Sequence, residues 1–355
     1  HLLLRTPEAR AQANLVREFA PVVVVDLHEY PVMGPYLEKF NAVQRFDALL
    51  QYATTPGVPP FVTRAAEEWF RQPVVTALRA AGLSSEWYYT TTAEVSDRKV
   101  SMGGTQPDTG RNVDGLTNAV SILVETRGAG IGALHLKRRV HTHVIATSTI
   151  LDSAARRAGD LEKLREFVDR EVAGEACQGE VVVEAGPTPS EKQLTMIDPA
   201  TGADKPVTVA WDSALELRPI TVRARPCGYW LSDREEDAVR RLRALGVRVV
   251  RLDQDGELRG EEYREIGRET VQRPDVRGPI DEGVVVRTRV RVVPALLDVK
   301  AGSYYVPLDQ PLANLAVAAL EPDTQNSYYA NGVIASASDE ARVLARPLQK
   351  GTPVP

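Results

Sequence analysis

Cysteine is nearly absent: the 355 residues hold only Cys177 and Cys227. No Cys-x-x-Cys pair exists, which excludes a cysteine zinc cage. Two unpaired core thiols is the preferred reading. A single disulfide is the alternative, and it requires an exported chain. Basic residues do not outnumber acidic ones, and the net charge of -5 argues against a general nucleic-acid binder. No apolar run reaches about 18 residues, so no transmembrane helix is expected. No signal peptide is legible at the start. The chain opens at His1, without a methionine, and reads as a mature product or a fragment. There is no G-x-G-x-x-G or G-K-[ST] phosphate loop, no G-x-S-x-G elbow and no H-E-x-x-H. Neither cysteine has local support as a nucleophile, and no 20–50-residue repeat is evident.

What is present is the material of a globular protein. Hydrophobic residues make up 43% and charged residues 26%, enough apolar material for a full core. The length predicts two domains, or one large domain with additions. The strongest local signal is Val22-Val23-Val24-Val25-Asp26-Leu27-His28-Glu29-Tyr30, a buried strand that breaks into ionisable groups. Open α/β sheets place their sites at the carboxyl ends of strands.

Before it, Thr6-Pro7-Glu8 predicts a helix to about Phe19: a capping hydroxyl, proline in the first turn and an acid beside it. A helical stretch is expected near 43–52. Residues 63–81 follow the helical period, with Gly82 as the stop. Residues 87–92 predict one strand, 101–112 a loop, 116–120 a short helix and 121–128 an apolar strand. Residues 135–173 predict a long helical stretch, interrupted at Gly159. Past residue 177 the texture changes to short strands at 181–183, 207–209, 220–222, 247–252 and 284–293. Ser232-Asp233-Arg234-Glu235 predicts a capping box, and a last helix is expected at 311–320. The expected fold class is α/β: a mixed central sheet flanked by helices, residues 1–177, followed by a strand-rich α+β accessory domain, residues 178–355.

His28 is the first candidate for chemistry. It stands at a strand end between two acids, and imidazole is the commonest protein metal ligand. Asp26 or Glu29 could orient it, or could be ordinary turn acids. Glu125 is the second. Partial burial after Ile122-Leu123-Val124 would raise its pKa and suit it to general-base work; the alternative is an ion pair with Arg127. His141-Thr142-His143 lies in an expected helix, where i and i+2 diverge, so chelation is disfavoured. Lys137-Arg138-Arg139 reads as a solvated helix face in preference to an anion contact. Gly103-Gly104 is weak as a phosphate motif but permits close substrate approach, with Arg111-Asn112 at the end of its loop. The pairs Tyr304-Tyr305 and Tyr328-Tyr329 suit a binding surface or, preferably, sheet packing.

Taken in order, these residues resemble the C-terminal half of the zinc carboxypeptidase family. The family has a Pro-Glu-x-x-Ala helix start, a strand ending in His-x-Tyr, a Gly-Gly-Ser/Thr loop with a following aspartate, and a Glu-x-Arg strand. Here these are Pro7-Glu8-Ala9-Arg10-Ala11, His28-Glu29-Tyr30, Gly103-Gly104-Thr105 with Asp108, and Glu125-Thr126-Arg127. The resemblance covers roughly residues 5–130. It implies that His28 is a zinc ligand and Glu125 the general base, with Tyr30, Gly103, Gly104, Asp108 and Arg111 facing a peptide substrate. It implies zinc in the complete protein; export to the periplasm or the extracellular space is expected.

The family's His-x-x-Glu ligands and its substrate-binding arginine would lie before His1 and are missing. Its substrate-side tyrosine would align near Lys99, with Tyr88 or Tyr89 as a substitute from the adjacent strand. The chain as given is therefore expected to hold no zinc and to be inactive alone. The competing readings are a non-catalytic peptide- or carbohydrate-binding protein on the same fold, and a zinc deacylase or amidase. Oligomeric state and side-chain preference are not legible.

Overall fold

The computed structural model describes residues 1–92, 94–272, 284–348 and 351–354. Helix α1 (Pro7–Phe19) starts as its sequence predicts: the Thr6 hydroxyl accepts from the Ala9 amide at 3.2 Å, and left-handed Ala20 ends it. Strand β1 (Val23–Pro31) follows, then α2 (Pro35–Phe40). The helix expected near 43–52 is instead β2 (Val43–Gln44) and β3 (Ala48–Tyr52). Every residue of β3 is buried, so apolar side chains on both of its faces imitate a helical run. Next, α3 (Pro60–Ala65) continues through a wide-turned segment, Ala66–Arg71, into α4 (Gln72–Ala80). Gly82, at φ +70°, closes it as expected.

The single strand expected at 87–92 divides at Tyr88 into β4 (Ser85–Trp87) and β5 (Tyr89–Thr91), which belong to different sheets. After β6 (Lys99–Met102) comes α5 (Gly110–Leu116), several residues before the short helix expected there. Strand β7 (Val120–Ala129) leads to α6 (Leu136–Arg156) and α7 (Ala158–Gly174), which break at Arg157 rather than Gly159. The short strands expected beyond 177 are pieces of two long ones, β8 (Glu180–Ile197) and β9 (Asp204–Ala224), joined in a bulged antiparallel hairpin.

The remainder is β10 (Gly228–Leu231), α8 (Glu236–Ala244), β11 (Val250–Leu252), β12 (Gly256–Gln272), β13 (Val284–Val299), β14 (Tyr304–Pro307), α9 (Ala313–Leu320), β15 (Glu340–Val343) and β16 (Gly351–Pro353). The capping box at Ser232 does not form. Helix α8 starts only at Glu236, the Ser232 hydroxyl is buried without a partner among the described residues, and the Glu235 carboxylate accepts from the Ala335 amide.

The molecule is a mixed α/β protein, with three sheets among the described residues. The first has the order β1-β7-β3-β4, with β1 parallel to β7 and β3 antiparallel to it. The second is a seven-stranded antiparallel sheet, β13-β12-β15-β10-β14-β11-β16. The third, β2-β8-β9-β6-β5, mixes the two halves of the chain: β6 pairs in parallel with β9. One hydrophobic cluster runs from Leu2 to Ile334. Among the described residues no helix is long and apolar enough to cross a membrane.

The two cysteines are not free thiols: Cys177 and Cys227 form a disulfide. The register of the hairpin explains it. Glu180 opposes Ala224, and continuing outward from that pair along both strands arrives at Cys177 and Cys227, with Cα atoms 4.2 Å apart. The tyrosine pairs are core residues and not a surface. Tyr304, Tyr305, Tyr328 and Tyr329 are all buried, and the Tyr305 hydroxyl donates to the Cys227 carbonyl at 2.9 Å.

Candidate active site

Strands β1 and β7 run in parallel with His28 directly opposite Glu125. Alternation then sends Asp26, His28 and Tyr30 of one strand, and Leu123 and Glu125 of the other, to one face. All five line a cavity of about 620 Å³. His28 Nδ1 lies 3.9 Å from the Glu125 carboxylate, and its Nε2 lies 2.8 Å from Asp26 Oδ1. Asp26 is therefore the acid that holds the ring. Glu29 points the other way and pairs with Arg139 of α6, Nε to Oε1 2.7 Å. Glu125 is 2% exposed, a carboxylate at the floor of the cavity.

The loop between β6 and α5 forms the facing wall. Gly103 is locked to Gln51 of β3, its amide donating at 3.2 Å and its carbonyl accepting at 3.3 Å. No side chain fits there: a Cβ would lie 2.7 Å from Arg111 Nη2 and 2.7 Å from the Tyr88 ring. The Gly104 carbonyl accepts from Arg111 at 2.7 Å and from Asn112 at 3.1 Å. Asn112, fully buried, also binds the Gln106 carbonyl and the Thr54 amide, so one side-chain amide ties the 104–106 loop to the segment after β3. Arg111 lines the cavity from this wall. Burial lowers its pKa, and its Nε has no hydrogen-bond partner among the described residues.

The seven residues that the family resemblance assigns to a site all line one cavity: His28, Glu125, Tyr30, Gly103, Gly104, Asp108 and Arg111. Their surroundings differ. The Tyr30 hydroxyl donates to the Phe46 carbonyl, and burial raises its pKa. The Asp108 carbonyl accepts from the His1 backbone nitrogen at 2.9 Å, and His1 lines the cavity. Tyr88 and Tyr89 both line the cavity, and Tyr89 packs edge-to-face on Tyr36 with centroids 6.0 Å apart.

Other expectations are corrected. No Glu125–Arg127 ion pair forms among the described residues, because Arg127 opens onto a different cavity. Lys137 and Arg138 are exposed as expected, Arg138 pairing with Asp47, whereas Arg139 is buried and pairs with Glu29. His141 is exposed on α6, whereas His143 Nε2 meets Thr126 Oγ1 at 2.9 Å.

Sequence reasoning missed the contribution of the second half of the chain. Pro187 of β8 and Ala214 of β9 line the cavity, brought there by the β6–β9 pairing. A second cavity of about 560 Å³ meets the first at Lys99, Thr105, Gln106 and Pro187. The ion pair of Lys99 with Asp212, 2.6 Å, stands beside that junction. Long-range pairing of this kind has no local signature. Asp114 of α5 was also missed: burial, and then the nearby Asp26, push it up to about 7.

Among the described residues no group of three His, Cys, Asp or Glu side chains is arranged to hold a metal ion.

Comparison with known proteins bears on this geometry. The chain is similar to proteins named carboxypeptidase 2. It is 27% identical to "Carboxypeptidase 2" of Trichophyton rubrum over 345 residues, 94% of this chain and 61% of that protein. It is 28% identical to "Carboxypeptidase 2" of Trichophyton equinum over 343 residues, with the same coverage. A "Probable carboxypeptidase 2" of Arthroderma benhamiae (strain ATCC MYA-4681 / CBS 112371) is 26% identical over 334 residues. The chain thus spans about three fifths of the length of these curated relatives, and the match extends well past residues 5–130 into the second half. No protein-family model matches the chain, and no solved structure matches it.

Proposed function

We propose that this cavity belongs to a carboxypeptidase-type hydrolase that cleaves the C-terminal amide bond of a peptide. The observation that carries the reading is His28 opposite Glu125 at the floor of a cavity that also presents Arg111. Glu125 is the general base: it takes a proton from the attacking water and returns it to the leaving amine. Arg111 is the cation for the terminal carboxylate, because a guanidinium matches a carboxylate in two parallel hydrogen bonds. Asp26 fixes the ring of His28. The names of the relatives and the order of the motifs support the same reaction class.

Zinc is part of the proposal only for a longer protein. Catalytic zinc takes about three protein ligands. This chain offers His28, and its other cavity acids do not complete a set among the described residues. The remaining ligands would come from the part of the relatives that this chain does not span, so no step of the reaction is assigned to the metal here. The disulfide fits an oxidising compartment and supports export. The incomplete donor set also favours a second reading, a non-catalytic peptide binder on the same fold.

One experiment separates the two. Release of C-terminal residues from a peptide mixture is followed by mass spectrometry, with the 355-residue chain and with a protein of the relatives' full length, each with and without zinc. The enzyme reading expects release only by the longer protein, abolished in Glu125→Gln. Binding without release by the longer protein establishes the binder. Tight stoichiometric zinc and peptidase activity in the short chain would refute the assignment of missing ligands.

A further inference from the structure

A third cavity, of about 430 Å³, is lined by Arg127 of β7 and by Arg138 and Arg139 of α6. Four guanidinium groups line it: Arg45, Arg127, Arg138 and Arg139. Three have carboxylate partners. Arg138 makes two hydrogen bonds to Asp47, 2.5 and 2.9 Å; Arg139 binds Glu29; and Arg45 reaches Asp204 at 2.7 Å. Burial alone would raise the pKa of Asp47, but hydrogen bonds from Arg138 and Ser84 hold it below the usual carboxylate range, so it stays ionised. Among the described residues Arg127 has no such partner. Its Nε is buried and makes no hydrogen bond among the described residues. The cavity thus carries one cation more than its ion pairs neutralise. One pair is also weak: Asp204 is exposed, and an exposed pair holds Arg45 only loosely.

We infer that this cavity binds a tetrahedral oxyanion of the phosphate or sulfate class, with Arg127 as its principal ligand and Arg45 free to swing onto it. The chemistry is that of a planar donor fork meeting an anion with several acceptor oxygens. A buried guanidinium nitrogen without an acceptor is costly, and an oxyanion supplies the missing acceptor. The site is independent of the peptide cavity: the two share no lining residue.

Titration calorimetry of the 355-residue chain with inorganic phosphate at low ionic strength tests it. One saturable site per chain is expected, displaced by sulfate and not by acetate. Arg127→Gln removes a charge-assisted hydrogen bond and lowers the affinity by about tenfold or more. Should that variant fail to fold, Arg45→Glu at the exposed rim serves instead, and a loss of similar size is expected. The inference is overturned by absence of saturable binding, by unchanged affinity in either folded variant, or by acetate competing as well as sulfate.

Discussion

His28 and Glu125 are register partners on adjacent parallel strands, with Nδ1 and Oε1 3.9 Å apart. The backbone ladder sets this spacing, so the pair survives changes in the surrounding loops. If Glu125 has the proposed role, then in a protein of the relatives' length Glu125→Gln is expected to lower kcat by about 10²–10⁴-fold, the usual range for a lost general base, with KM nearly unchanged. Steady-state kinetics on a blocked peptide measures both. A change confined to KM would remove Glu125 from the reaction.

Gly103 separates Arg111 from Tyr88 with no room for a methyl group. Gly103→Ala is expected to cost about 1–3 kcal/mol, the range for overpacking, and to displace Arg111. Urea denaturation reads the first effect. A parallel loss of affinity for a peptide with a free carboxylate, but not for its C-terminal amide, reads the second.

The disulfide closes a loop of 50 residues around the β8–β9 hairpin. Replacing both Cys177 and Cys227 by serine is expected to cost roughly 2–4 kcal/mol. Thermal melts with and without reductant check it: the wild type should be sensitive to reductant and the double variant should not.

Glu340 of β15 is fully buried, and neither carboxylate oxygen has a hydrogen-bond partner among the described residues. Burial, and then the charges of Glu321, Glu235 and Asp339, raise its pKa well above 4.5. Asp114 is pushed up to about 7. In both cases the folded state binds the proton more tightly than the unfolded chain. The sign is therefore fixed: stability falls as pH rises from the unfolded pKa to the folded one, and levels off above it. For Asp114 that window runs from about 4 to about 7. Glu340→Gln and Asp114→Asn should each flatten the fall, as seen in denaturation midpoints across this range. A variant with an unaltered slope would show that its carboxyl is not responsible.

The residues that line the largest described cavity were more legible than the fold around them. His28, Glu125 and the Gly103-Gly104 loop were visible because each breaks an apolar or regular pattern in a short window. The β3 strand was not, because a strand buried on both faces carries no alternation. The cysteine pairing was misjudged because it depends on the register of two long strands, which no local residue announces. Arg127 and Arg139 have other surroundings than expected for a related reason: sequence proximity suggested Glu125 and solvent, while tertiary packing supplied a shared cavity.

The parallel pairing of Lys99–Ser101 with Ala210–Asp212 has a consequence for inheritance. A chain cut between α7 and β8 would strip the outer partner from β6, leave Val100 and Met102 uncovered, and remove Pro187 and Ala214 from the cavity wall. Neither half could be exchanged as an independent module by recombination without a compensating surface on the other. The two halves should therefore descend together in lineages that retain the cavity, and shuffling should be tolerated outside this junction and not within it.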